Sequence, residues 1–153
     1  FFQILPFAAN KGEALIVSID GLPNNHIYKK GSTITPWRGG LFWVGSTYEH
    51  SFQHAAPTPE FRKHTEAWLR SFVKHDIEVL DHLASVRPAV LERRPFVGWH
   101  PQHRQVGILN GTGTKGVTLA PFFAKQLAEN IVHQTPLLPE VDVHRFARLL
   151  SRI

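Results

Sequence analysis

The chain has 153 residues, 42% of them hydrophobic and 19% charged, with 11 glycines and 11 prolines. That length and balance describe a globular chain forming one ordinary domain or parts of two, not a disordered one. The absence of cysteine removes disulfides, thiolate ligands and cysteine nucleophiles, and a net charge of +5 is too dilute for a nucleic-acid footprint.

The chain opens Phe1-Phe2-Gln3-Ile4, which reads as the interior of a strand. With no methionine at the start, or anywhere, it reads as a piece of a longer protein. Glu13 to Ile19 is a strand closed by the turn cluster Asp20-Gly21-Leu22-Pro23-Asn24-Asn25. His26 to Lys29, Ser32 to Trp37 and Leu41 to Val44 follow as strands, joined at Lys30-Gly31 and Arg38-Gly39-Gly40. Connections this short join antiparallel neighbours. Trp37 and Trp43 are expected to pack on the sheet. Thr58, Pro59 and Glu60 then spell a helix start, with a hydroxyl cap, a proline in the first turn and an early acid. Phe61, Thr65, Trp68, Leu69, Phe72 and Val73 recur at helical spacing and predict a core-facing stripe on a helix over 59–75. Ile77 to Val86 is the returning strand.

The second half carries a short strand at Phe96-Val97-Gly98 and another at Gln105 to Leu109. A helix follows from Phe122 to Val132, starting near Pro121 or kinked there, because proline inside a helix costs about 3 kcal/mol. After a coil, Asp142 caps a short helix that runs to Leu150. Between strand and helix stands Gly111-Thr112-Gly113-Thr114-Lys115-Gly116, which matches the G-x-G-x-x-G phosphate-binding turn. A dinucleotide fingerprint also needs a second strand and an acidic residue about 20 positions on. Neither follows here, so the βαβ unit does not close. Two readings stay open: a strand-to-helix turn that uses glycine for positive φ, or a loop that aims backbone N–H groups and a helix N-terminus at an electron-rich group.

His50/His54 and His100/His103 have spacings usable by a metal, but they lack a zinc-protease signature or an accompanying carboxylate cluster, so no metal site is expected. No apolar run reaches about 18 residues, so no membrane-spanning helix is expected. The cysteine-free composition fits a cytoplasmic protein. No Ser/His/Asp or Cys/His arrangement stands out, and no catalytic side chain is assigned.

The run from Arg87-Pro88 through Arg93-Arg94-Pro95-Phe96-Val97-Gly98, followed by Gly107-Ile108-Leu109-Asn110 and the glycine loop to Ala120-Pro121, resembles the C-terminal part of the D-amino-acid oxidase-like family. These are FAD-dependent oxidoreductases. Asn10-Lys11-Gly12-Glu13 and Val44-Gly45-Ser46-Thr47-Tyr48-Glu49 resemble that family's substrate-domain strands. The resemblance implies an α+β fold. Residues 1–88 would be part of the substrate-binding domain, an antiparallel sheet with a packed helix. Residues 89–153 would be the C-terminal strand-loop-helix part of an FAD-binding α/β domain. It implies oxidation of an amino acid or secondary amine by hydride transfer to FAD, giving an imine that water hydrolyses. Arg87 would bind the substrate carboxylate through its planar fork. The residues at Tyr48 leave two readings open: a lining of the substrate pocket, or a surface Thr-Tyr-Glu pattern at a strand end. Gly111, Thr112, Gly113, Thr114, Lys115 and Gly116 would face the flavin ring. The FAD-binding N-terminal segment is missing, so this part alone is expected to be inactive and to hold FAD poorly, with exposed sheet edges open to self-association. The sequence departs from many relatives in having Glu92-Arg93-Arg94 where they have Asp-Gly, and Trp43 where some carry a lysine. The competing reading is a ligand-binding or interaction module without flavin.

Overall fold

A computed structural model describes residues 1–152, and contacts divide the chain into two units. One is continuous, Asn10–Val86. The other joins Phe1–Ala9 to the chain from Arg87 onward. The first nine residues therefore group with the second half of the sequence, not with the sheet that follows them.

The continuous unit is a five-stranded sheet carrying one helix. Its strands are β1 (Asn10–Ile19), β2 (Tyr28–Lys30), β3 (Ser32–Pro36), β4 (Phe42–Gly45) and β5 (Ile77–Arg87), and its helix is α1 (Pro59–Phe72). The order across the sheet is β2-β3-β4-β1-β5. The pairs β2–β3, β3–β4 and β1–β4 are antiparallel, as the short connections of the first two require. Register places Leu15, Val44, Ile34 and Tyr28 in one row, and Ile16, Trp43 and Thr35 in the neighbouring row on the opposite face. The first row packs against α1. Leu15, Val17, Ile19, Ile34, Phe42 and Val44 are buried with Leu69 and Val73, and Phe61, Trp68 and Phe72 close the edges. Each such large side chain removed from water contributes about 1.5–3 kcal/mol, which makes this contact the main support of the unit. The helix starts as its sequence dictates: the Thr58 hydroxyl accepts from Phe61 N–H, Pro59 occupies the first turn and Glu60 faces the positive end of the dipole. The Trp37 and Trp43 rings meet at a tilt, with centroids 5.4 Å apart.

The second unit holds β6 (Phe96–Trp99) and β7 (Gly107–Asn110), an antiparallel pair. A 3-10 turn at Gly113–Lys115 leads into α2 (Gly116–His133). A second 3-10 turn (Val143–Phe146) leads into α3 (Ala147–Leu150). Leu5, Val90, Phe96, Val143 and Leu150 form one core, and Val97, Phe123, Leu137 and Val141 another. Trp99 Nε1 donates to Asn130 Oδ1 at 2.8 Å, and the Asn130 amide donates on to Thr135 O, tying β6 to the end of α2.

Several sequence expectations are corrected here. Residues Phe1 to Ile4 are turn and coil, not strand, with Leu5 N–H donating back to Phe2 O. The chain approaches strand geometry only at Phe7, which bridges Val90. α2 begins at Gly116 and runs through Pro121, so proline is neither its start nor its boundary. The missing N–H would have met the carbonyl of Val117, and Val117 is 95% exposed, so water can take that acceptor. The last helix is a 3-10 turn before it becomes α, although Asp142 does cap it, accepting from His144 N–H. Arg145 lies inward. Its guanidinium sits 5.2 Å from the Phe96 ring and 4.8 Å from the Phe146 ring. It also donates to Glu92 and to the carbonyls of Asp142, Arg94 and Pro95. The same 92–95 segment carries Arg93 at φ 56, the left-handed region where a non-glycine residue is strained.

Candidate functional site

The second unit brings two of the sequence-predicted elements together. β5 ends at Arg87, and the next residue, Pro88, accepts through its carbonyl from Gly113 N–H at 3.2 Å. The substrate-carboxylate candidate is thus one peptide away from a direct hydrogen bond to the glycine loop. The loop packs on the same segment further along. Gly111 has φ +81, and a Cβ there would stand 2.7 Å from Val90 Cγ1, so only glycine fits. The loop's own hydrogen bonds use alternate amides. Gly111 N–H donates to Asn110 Oδ1, Gly113 N–H to Pro88 O and Lys115 N–H to Thr112 O. These three are committed to shaping the turn. Thr112, Thr114 and Gly116 alternate with them along the same loop. Lys115 is exposed and can add a cation at the start of α2.

Tyr48 stands in the continuous unit, on the segment that leaves β4, and is 60% exposed. That segment is laced to β1. Lys11 and Glu49 exchange backbone hydrogen bonds of 2.8 and 2.9 Å, and Thr47 N–H donates to Glu13 O. Beneath it lies a buried polar cluster that the sequence did not single out. The fully buried Glu13 carboxylate receives Lys11 Nζ, His82 Nε2 and both donors of Thr58. Burial alone would raise its pKa, but the hydrogen bonds from Lys11 and Thr58 and the Lys11 charge outweigh burial and hold it below the ordinary carboxylate value. A lysine and a glutamate two apart at a strand start were the available signal.

Of the two histidine pairs, His100 and His103 lie ring to ring, with centroids 4.8 Å apart. His100 is buried, its Nδ1 accepts from Gln102 N–H, and its ring meets those of Phe1, Phe2 and His103. Burial first, then the neighbouring His103, lowers its pKa. Among the described residues no group of three or more His, Asp or Glu side chains could hold a metal ion, and no helix is long and apolar enough to cross a membrane.

Comparison with known proteins decides the family. A family model described as FAD-dependent oxidoreductase matches residues 2–130. The chain belongs to the FAD-dependent oxidoreductase family. Within that family it is 30% identical over 146 residues to a glycine oxidase of Pseudomonas putida, covering 89% of this chain and 40% of that protein. A glycine oxidase of Pseudomonas aeruginosa is 28% identical over 138 residues, covering 88% and 38%. The crystal structure of an iminodiacetate oxidase from Chelativorans sp. BNC1 superposes with a TM-score of 0.73 at 21% identity, covering 88% of this chain and 38% of that one. The chain thus spans about two fifths of the length of these relatives. Its α+β fold, with an antiparallel sheet, is that of FAD-dependent oxidoreductases. FAD is this family's cofactor. A flavin ring carries its charge on reduction at a carbonyl edge, which suits a turn with glycines at close approach and amides at a helix N-terminus. The Thr112-to-Gly116 stretch fits that requirement.

Proposed function

We propose that this chain is the C-terminal part of an FAD-dependent oxidoreductase acting on an amino acid or a secondary amine. Arg87 binds the substrate carboxylate, and the 111–116 loop meets the flavin ring. FAD, when bound, supplies a two-electron hydride acceptor; the protein supplies binding, orientation and electrostatics. Arg87 offers two parallel N–H donors to a carboxylate, a match no lysine reproduces. Thr112, Thr114 and Gly116 present amides to the electron-rich edge of the ring, and Lys115 adds positive charge beside them. Tyr48 lines the substrate side. The observation that carries this reading is the Gly113-to-Pro88 hydrogen bond, which couples the flavin-facing loop to the residue after Arg87. The relatives named as glycine and iminodiacetate oxidases support a small substrate bearing both a carboxylate and an amine.

The test is steady-state oxidation by the full-length protein with Arg87→Ala and Arg87→Lys. Losing a charged, two-pronged hydrogen bond of about 2 kcal/mol raises KM for a carboxylate-bearing amine roughly thirty-fold, while the flavin absorption spectrum stays unchanged. A KM that does not move in Arg87→Ala refutes the assignment. FAD titrated into the 153-residue chain alone is expected to bind weakly, and tight stoichiometric binding would contradict this division of the cofactor site.

A further inference from the structure

The sheet unit carries an open cleft of about 470 Å³ between the middle of α1, the turn that joins β2 to β3, and the first residues after β4. Its volume falls in the range of small-molecule sites, about 300 to 1,000 Å³. Phe61, His64, Thr65 and Trp68 supply the helix wall. Their spacing of i, i+3, i+4 and i+7 puts all four on one helix face, over about 10 Å along the axis. Lys30 and Ser32 line the cleft from the hairpin turn. Neither Arg87, nor Tyr48, nor the 111–116 loop takes part in it.

The apolar walls are held by the protein itself. The Phe61 ring lies stacked on His82, with centroids 5.3 Å apart. Trp68 Nε1 donates to Lys30 O at 3.1 Å, which ties the helix to the hairpin turn and leaves ring carbon as what Trp68 offers the cleft. Thr65 is different. It is 4% exposed, it lines the cleft, and among the described residues its hydroxyl has no hydrogen-bond partner. A nearly buried hydroxyl without a protein partner favours a ligand atom that supplies one. Charge adds a direction. Lys30 and His64 are the ionisable side chains lining the cleft; both are basic, and no carboxylate joins them. The Lys30 ammonium stands 5.6 Å from the Phe72 ring, which meets the Trp68 ring at 5.3 Å, so the positive charge lies toward the Trp68 end.

We propose that this cleft is a ligand site for a small aromatic carboxylate, its ring against Phe61 and Trp68, its carboxylate at Lys30 and bonded to the Thr65 hydroxyl. Two aromatic walls favour a flat ring over an aliphatic chain, because ring-on-ring contacts add to the area buried. The basic rim favours an acid over a neutral or cationic ligand, which would leave Lys30 unmatched. The site does not depend on the roles assigned to Arg87 and the glycine loop.

The probe is indole-3-acetate, titrated by calorimetry into the full-length flavoprotein carrying Arg87→Ala, which takes the other proposed carboxylate site out of the measurement. Saturable binding is expected, and it should weaken as salt screens Lys30. Indole-3-acetamide, which keeps the ring and loses the charge, should bind about tenfold more weakly. Lys30→Gln, at an exposed position, should erase the difference between acid and amide. Thr65→Val, of nearly the same shape, should weaken both about tenfold. Absence of saturable binding overturns the proposal, as does equal affinity for acid and amide with Lys30 in place. Binding left unchanged by both Lys30→Gln and Thr65→Val puts the probe elsewhere and overturns it too. Binding seen with Arg87 present and lost in Arg87→Ala leaves the substrate-carboxylate assignment standing and sinks this site alone.

Discussion

Replacing Gly111 by alanine tests whether the turn ahead of α2 is shaped from beneath. Gly111 has φ +81, and a Cβ would sit 2.7 Å from Val90 Cγ1 and 3.5 Å from Phe96 Cδ2. Two costs add. Holding an alanine in the left-handed region costs about 1–2 kcal/mol. Forcing a methyl against Val90, itself 5% exposed and part of a packed core, costs about 1–3 kcal/mol more. Gly111→Ala should therefore destabilise the full-length protein by about 2–5 kcal/mol and lower its FAD content, measured by urea melts and by the ratio of flavin to protein absorbance. The structure also predicts a rescue. Val90→Ala alone costs about 2 kcal/mol as a large-to-small core change, yet it removes the atom that the added methyl would strike. The double variant should be more stable than the two losses added together, by about 1–3 kcal/mol. Strict additivity would show that Val90 is not the obstacle, and a Gly111→Ala protein with wild-type stability and full FAD would refute the account of the turn.

Arg93→Gly should stabilise by about 0.5–1 kcal/mol in a urea melt, because relief of left-handed strain exceeds the entropy glycine adds to the unfolded chain. Arg145→Lys should destabilise by about 1–3 kcal/mol despite keeping the charge, since an ammonium cannot fork to three carbonyls and a carboxylate while lying against two rings. Acidification should weaken the fold in two stages. His100 and Glu13 both have pKa values lowered in the folded state, so the unfolded chain binds more protons in each case. Stability is fully present above the ordinary imidazole value of 6.5, falls as pH drops through the folded His100 value, and falls again below the ordinary carboxylate value of 4.5 as Glu13 is protonated. Melts between about pH 2 and pH 8 measure this, and His100→Gln should remove the upper stage alone.

The parts of the fold that were legible in the sequence are those written locally. Thr58-Pro59-Glu60 announces α1, and the stripe from Phe61 to Val73 names the face it buries. The glycine turns at Gly31 and Gly39-Gly40 give the β2–β3 and β3–β4 hairpins, whereas the asparagine cluster after β1 gives none, because β2 pairs with β3 and not with β1. The start of α2 was not legible because Pro121 reads as a boundary; only the position of Val117 at the surface makes an interior proline tolerable. The proximity of Arg87 to the glycine loop follows from no periodicity. It was anticipated only through family resemblance, and it rests on one backbone hydrogen bond across the Pro88–Gly113 gap. The Glu13 cluster was signalled only by the Lys11/Glu13 spacing, for a related reason. Its carboxylate and His82 are 69 positions apart, and charged residues at the start of a strand ordinarily face water. Only the folded chain shows that Lys11, Thr58 and His82 converge on it.

The second unit is discontinuous in sequence, and the sheet unit lies between its two pieces. Ala8 N–H donates to Ala89 O at 2.8 Å and Phe7 bridges Val90, so the two severed ends of the host run side by side. The inserted stretch also leaves where it enters, because its first and last strands, β1 and β5, are neighbours in the sheet. A coding segment for residues 10–86 is thus bounded by two junctions that a few small residues can reseal. Those junctions are where that cassette can be exchanged between related sequences while the Arg87-to-Gly116 frame is kept.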